Sequence, residues 1–408
     1  MRREQVASDG ERTVSLPVEL VDPFGLPLGL SELREAAPLH RLSYLDGQVG
    51  WLVTDYATGR AVLMDSRFGT TESPAIPLGD LARTTALRES READGILEPL
   101  IHQNPPLHTR LRRTMMPSYT NARVLDYREE IRRAVAECLE TMERNGPPVE
   151  LVSAFAEPVV TAAHAAVFGI SREDCARLVE ETVKLQDVSV PAEEAIAAAR
   201  ATAIWIHELL EEKRAHPADD VMSALATSDL SPDEAVSQAV DLASSGHDTV
   251  IGTMANSVFV LLCHTDQLRA LQRDPSLWER AVDELVRYFT LLKASFTRIA
   301  REDVEVAGRL ISAGECVTVS IAAANRDPSR FEEPERFDAS RNARGHLGFG
   351  HGIHVCVGQH LARMEMRVAL AALFQRFPTL RLASSPGEVE LSAPGHILHY
   401  VKKINVAW

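Results

Sequence analysis

The sequence lacks several common signatures, and each lack narrows its function. The five cysteines (Cys138, Cys175, Cys263, Cys316 and Cys356) form no CxxC pair and are odd in number, which argues against a disulfide framework, a zinc ribbon or an iron–sulfur spacing. No apolar run approaches membrane-span length. The start, MRREQVASDGERTVS, has no signal-peptide core, so a reduced cytoplasm is the expected compartment. Positive charge is also short: 43 Lys and Arg against 58 Asp and Glu give a net charge of −15. That balance argues against nucleic-acid binding and against adhesion to anionic membranes. No GxGxxG follows a strand pattern, so the chain carries no dinucleotide site of its own.

What remains is an ordinary globular composition, 45% apolar and 25% charged over 408 residues, without repeats or low-complexity linkers. Residues 35–55 carry β-type residues on either side of LDGQ, a hairpin turn. From Asp55 to about residue 292 helical periodicity dominates, as in DEAVSQAVDLASSGHDTVIGTMANSVFVLLCH and in SLWERAVDELVRYF. Short strands are predicted over 295–320, then a Pro- and Arg-rich ordered loop, a helix over about 358–376 and a terminal strand pair over about 388–408. The expectation is one domain over 1–408, mainly α with a minor β lobe, preceded by a flexible tail at 1–16.

The densest chemistry lies in LGFGHGIHVCVG, residues 347–358, with four glycines around one cysteine. A helix beginning just past Cys356 would favour its thiolate through free N–H groups and the positive dipole end. Gly350, Gly352 and Gly358 would let the backbone approach a flat object, and Phe349 could shield one side. Such a thiolate suits haem iron with one soft axial ligand. Zinc is a rival, since His346, His351, His354 and His360 lie near, although they keep no structural-zinc spacing. Simple packing is a third reading, and the bend alone does not choose among them.

Phe349-Gly350-x-Gly352-x-His354-x-Cys356-x-Gly358, followed by Leu361-Ala362, resembles the haem-binding signature of the cytochrome P450 family. The resemblance implies that fold, a long central helix and a cysteine-ligand loop sandwiching haem b. It also implies Cys356 as the proximal iron ligand and His354 as partner of a haem propionate. Three further segments fit in order. NPPLHTRLRR resembles the family segment whose His and Arg hold propionates, which implies those roles for His108 and Arg112, four apart on one helix face. Arg298 stands where the family has another propionate arginine. In Ser244-Ser245-Gly246-His247-Asp248-Thr249 a mid-helix Gly and a buried Asp need a reason. Either Thr249 bonds a carbonyl one turn back and Asp248 caps a neighbour, or the two form the family's acid–alcohol pair for proton delivery. The family commonly has Ala where Ser245 stands. Finally, Glu284 and Arg287 match the family's buried ExxR pair, and Arg336 of PERF is expected to join them.

The resemblance implies a haem-thiolate monooxygenase. It would use dioxygen and two electrons, delivered by a ferredoxin and its reductase, to hydroxylate or otherwise oxidise a medium-sized molecule of bacterial secondary metabolism. Coupling, cyclisation or desaturation at the same haem centre is the alternative, and a haem sensor would not need Asp248 and Thr249. Arg112, Arg113, Arg341, Arg344, Arg363 and Arg367 are candidates for docking an acidic ferredoxin. Val240, Ser244, Ser245, Leu292, Ala294, Ser295 and Ile397, with Lys293 beside them, are candidates for the substrate pocket. Membrane and nucleic-acid partners are not expected, and the chain is expected to act as a monomer.

Overall fold

The computed structural model of the chain describes residues 13–70, 78–187, 189–293, 296–392 and 396–408. Five helices position the residues of interest: α1 (Leu107–Met115), α2 (Glu157–Phe168), α3 (Pro232–Cys263), α4 (Trp278–Tyr288) and α5 (Gln359–Arg376). The chain divides into two compact units, one of Met1–Leu81, Asp283–Cys356 and Ala393–His399, the other of Ala82–Val282, Val357–Ser392 and Tyr400–Trp408. Among the described residues no single helix is long and apolar enough to cross a membrane.

The first unit holds the β structure that the alternating stretches foreshadowed. Leu39–Ser43 and Val49–Val53 pair antiparallel around the LDGQ turn, with Leu39 opposite Val53. The latter strand runs parallel to Cys316–Val319, which pairs antiparallel with Phe296–Ala300. Strands Thr13–Ser15 and Phe68–Gly69 complete a six-stranded sheet at its two edges. All four residues of Cys316–Val319 are buried, as a central strand covered on both faces requires. Val53, Val317, Val319 and Ile321 form the core under the sheet together with Leu347, the first residue of the cysteine bend. Hydrophobic burial thus fixes one end of that bend.

The second unit is mostly helical. α3 starts with a capping box: the Ser231 hydroxyl accepts from the Glu234 N–H, and Glu234 accepts from the Ser231 N–H. Pro232, Asp233 and Glu234 in its first turn suit the free N–H groups and the dipole. The 32-residue helix is apolar and buried over most of its second half, so tertiary packing rather than propensity stabilises it. On α5, Phe374 stacks on Trp278 with ring centroids 6.2 Å apart. The terminal strand Asn405–Ala407 pairs with both Arg381–Leu382 and Val149–Glu150, while Val401–Lys403 pairs with Glu390–Leu391.

The ion pair of α4 departs from expectation in one partner. Glu284 and Arg287 are both fully buried, and Arg287 grips the carboxylate with Nε and Nη2 at 2.6 and 2.8 Å. Its Nη1 donates to the carbonyls of Asn325 and Pro334 at 2.8 and 2.9 Å. The arginine that joins Glu284 is Arg341, by Nε at 3.0 Å, and not Arg336. Arg336 is exposed and pairs with Glu333 and Asp338. Its place two residues before the turn at Asp338 points it outward, while the turn carries Arg341 back to Glu284 through the Asp338 N–H at 3.1 Å. Removing a partner from a buried pair leaves an uncompensated charge. Arg287→Ala is therefore expected to cost about 3–5 kcal/mol and Arg341→Ala about 1.5–3 kcal/mol. Arg336→Ala should stay within about 0.5 kcal/mol. Urea unfolding midpoints of the three variants check this order, and equal losses at Arg336 and Arg341 would contradict it.

Candidate active site

The bend that presents Cys356 is built by local hydrogen bonds and pinned at its start. Asn325 Oδ1 accepts the Leu347 N–H at 2.7 Å. The imidazole of His346 accepts the Gly348 N–H at Nδ1 (3.0 Å), which leaves its Nε2–H to donate to Asp283 at 3.3 Å. The chain then turns twice, with Gly350 N–H on the Leu347 carbonyl and Val355 N–H on the Gly352 carbonyl. The Cys356 N–H closes the bend on the Phe349 carbonyl at 2.8 Å, and the Cys356 side chain is exposed.

Gly350 and Gly352 both have positive φ, 72° and 73°, where a side chain is strained. Gly352 has a second reason: a Cβ there would stand 2.4 Å from the Leu63 carbonyl oxygen. It serves packing, not access for a flat group as the sequence alone suggested. Gly358, the helix cap of α5, differs: its φ is an ordinary −81° and a Cβ would meet nothing within 4 Å. Among the described residues no atom accounts for that glycine, whereas a planar group lying against it would. α5 itself starts at Gln359, a residue or two later than the sequence suggested.

Arg298 lies in the strand Phe296–Ala300 and is 4% exposed. Its guanidinium donates to the Thr297 carbonyl at 3.1 Å and, among the described residues, has no carboxylate partner. Burial pulls its pKa down to about 10. A buried cation of this kind fits an anionic group such as a propionate. On α1, His108 is buried and Arg112 half-buried one turn later, the shared face that their spacing required. His354 and Phe349 are half-buried in the bend. His351 accepts from Arg60 Nε at 3.1 Å and His346 is bound to Asp283 and Gly348, which removes two of the histidines a zinc site would use. Among the described residues no three His, Cys, Asp or Glu side chains converge as a metal cage.

On α3, the Thr249 hydroxyl donates to the carbonyls of Ser245 (2.9 Å) and Gly246 (3.3 Å). Asp248 is about a quarter exposed, with Oδ1 3.5 Å from His247 Nδ1. The mid-helix glycine has a specific neighbour: a Cβ on Gly246 would stand 2.5 Å from His164 Nε2 on α2. Ser245 spends its hydroxyl on Asp241, at 2.7 Å to the carbonyl and 3.0 Å to Oδ1. Asp241 also accepts the Leu100 N–H at 3.0 Å, and burial raises its pKa. Ser244 bonds the same Asp241 carbonyl at 3.2 Å, and Val240 is buried.

Leu292 bridges to Leu398, and the Lys293 N–H donates to Ile397 at 2.9 Å, so these residues share one edge of the first unit. Burial lowers the Lys293 pKa. Ala294 and Ser295 lie outside the described residues. Other contributors carried no short-range signal in the sequence. They are Arg341, the His346–Asp283 brace, Asn325, the pair Thr161 and His164 on α2, and Glu365 on α5. Glu365 is fully buried, neither oxygen has a hydrogen-bond partner among the described residues, and burial raises its pKa well above the usual value.

Known proteins match this arrangement along nearly the whole chain. The family model described as cytochrome P450 matches residues 192–392. Cytochrome P450 105C1 of a Streptomyces species is 38% identical over 94% of this chain and 96% of its own. Pentalenic acid synthase of Streptomyces avermitilis is 36% identical over 97% of each. The crystal structure of the LnmA cytochrome P450 hydroxylase from the leinamycin biosynthetic pathway of Streptomyces atroolivaceus superposes with a TM-score of 0.85 at 34% identity, covering 96% of this chain and 98% of that one. Such identity over nearly the whole length of each chain carries the fold, the haem b cofactor with its cysteine thiolate, and the class of enzyme. The chain belongs to the cytochrome P450 family and is a monooxygenase of that family.

Proposed function

We propose that the enzyme places one atom of dioxygen into a medium-sized, partly polar molecule of secondary metabolism, with electrons from a ferredoxin. The second oxygen atom leaves as water, and two electrons and two protons balance the reaction. The observation that carries this reading is Asp248 beside Thr249 in α3: a partly exposed acid next to a hydroxyl that rests on its own helix, in a second half that is mostly buried. A haem that only sensed or carried oxygen would need no proton donors. Relatives and neighbours whose names refer to a biosynthetic synthase and a pathway hydroxylase support the metabolic setting.

Haem b, when bound, supplies the activation of dioxygen and the oxidising power. Cys356 would ligate its iron, with Phe349, Gly350 and Gly358 against the ring. Arg298, His108, Arg112 and His354 would hold its propionates. Asp248 exchanges protons with water and passes them to the Thr249 hydroxyl. At rest the Thr249 O–H donates a hydrogen bond to the Ser245 carbonyl, and rotation about χ1 frees it to hand its proton on as it takes one from Asp248. Val240, Ser244, Leu292 and Ile397 remain the candidates to line the substrate pocket, and the half-buried Lys293 would favour a substrate with a polar or acidic end. Ser245 is a weaker candidate, its hydroxyl being held by Asp241.

The electron donor would be an acidic ferredoxin in the cytoplasm, reduced by its own reductase. Arg341 leaves the docking set, being bound to Glu284. Support comes instead from a groove of about 380 Å³ in the second unit, lined by Arg128, Arg132 and Arg367 between Trp278 and Gln375. On a chain of net charge −15 such a cluster steers an acidic partner.

Two outcomes are expected. With 18O-labelled dioxygen and a turned-over substrate, the product gains one labelled atom. In Thr249→Ala and Asp248→Asn the product formed per electron consumed falls at least roughly tenfold, with hydrogen peroxide in its place. Loss of two hydrogens without label would assign desaturation or coupling, and unchanged yields in both variants would remove the proton-delivery role. Second, Arg132→Glu with Arg367→Glu should slow reduction by an acidic ferredoxin several-fold at low salt. The gap between variant and wild type should shrink as salt rises and the Debye length contracts to about 8 Å. A salt-independent rate would oppose docking there.

A further inference from the structure

A buried polar knot joins α2 to α3 directly behind the acid of the proton-delivery pair. His247 is 2% exposed, with Nε2 3.0 Å from Thr161 Oγ1 on α2 and Nδ1 3.5 Å from Asp248 Oδ1. His164, three residues after Thr161 on α2, packs its ring on that of His247 with centroids 5.7 Å apart at 69°. The His164 Nδ1–H donates to the Val160 carbonyl at 3.0 Å, and burial beside His247 holds its pKa down to about 4, so it is neutral. Gly246 exists in this helix at a cost to helix stability, because any side chain there would strike His164 Nε2. The knot therefore accounts for the glycine.

Of the two contacts of His247, the one to Asp248 sets the tautomer, since the Thr161 hydroxyl can donate or accept. A carboxylate only accepts, so the Nδ1–H must donate to Asp248; Nε2 then accepts from the Thr161 hydroxyl. Asp248 Oδ1 is thereby tied to a ring that is itself fixed at its far end. Two other groups lie near this knot and its acid, a second imidazole and a phenol. His164 presents its ring to His247, and Tyr400 is a half-buried phenol whose pKa is raised by burial and by the charges of Asp248 and Asp187, so it keeps its O–H; among the described residues only His247 ties the acid to α2.

We propose that His247 is the positioning residue of the acid–alcohol pair: clamped by Thr161 and packed on His164, it holds the Asp248 carboxylate toward Thr249 through its Nδ1–H. The proposal rests on the reading of Asp248 as proton donor, and the test separates the two. His247→Asn keeps an N–H near the Nδ1 position, whereas His247→Gln keeps one near Nε2 and His247→Phe keeps none.

The holoenzyme variants are compared for product formed per electron consumed, after checking that haem content and thermal midpoint match wild type. The expected result is a loss of fivefold or more in His247→Gln and His247→Phe, with KM unchanged and kcat reduced, and retention of most of the yield in His247→Asn. Histidine 1H–15N correlation spectra of the diamagnetic ferrous carbon-monoxide protein provide a readout independent of turnover. They should show His247 protonated at Nδ1 in wild type and a tautomer mixture in Thr161→Val. His247 protonated at Nε2, or His247→Gln matching His247→Asn while Asp248→Asn collapses the yield, would overturn the positioning role alone. An intact yield in Asp248→Asn would overturn the proton-donor reading and this role with it.

Discussion

A thiol that must meet a metal from one side has to be held by a loop, and a loop has few hydrogen bonds of its own. In this chain the missing rigidity is imported from the buried carboxylate of Glu284. Arg287 and Arg341 both bind it, and Arg287 extends the hold to the Asn325 and Pro334 carbonyls. Asn325 in turn receives the Leu347 N–H, so a charge network inside the unit ends on the first residue of the cysteine bend. The network is costly to desolvate and would be a poor way to gain stability alone. Its return is geometric: the position of one side chain is defined by groups with no freedom to move.

The same division between cost and purpose runs through α3. A glycine in mid-helix, an acid facing partly inward and a row of hydroxyls all weaken a helix that is otherwise largely buried. Each has a partner that explains it. Gly246 makes room for His164, Ser245 binds Asp241, and Thr249 rests on the carbonyl one turn back. The last of these is the bond expected of any threonine in a helix, and it is compatible with proton delivery because it is broken by a single rotation.

Much of this was legible in the sequence where the signal is local. The bend around Cys356, the helix over Gln359–Arg376 and the LDGQ hairpin follow from glycine placement and periodicity within a few residues. Glu284 and Arg287 could be paired because three residues separate them on one helix. What was not legible depends on residues brought together by the fold. Arg336 and Arg341 lie in the same irregular loop, and no periodicity says which faces inward; the turn at Asp338 decides it. Gly352 could be read as giving access to a flat group, yet its neighbour is a carbonyl almost three hundred positions earlier. The substrate-contacting set was not legible for the same reason, since pocket shape is a sum over distant loops and not a motif.

The central claim is that Cys356 binds the haem iron as a thiolate, and the absorbance spectrum of the reduced protein under carbon monoxide tests it most directly. Thiolate ligation predicts a Soret band shifted strongly to the red, lost when Cys356 is replaced by His or Ala. A band in the position typical of histidine ligation in the unaltered protein, or a red-shifted band that survives Cys356→Ala, would contradict the account.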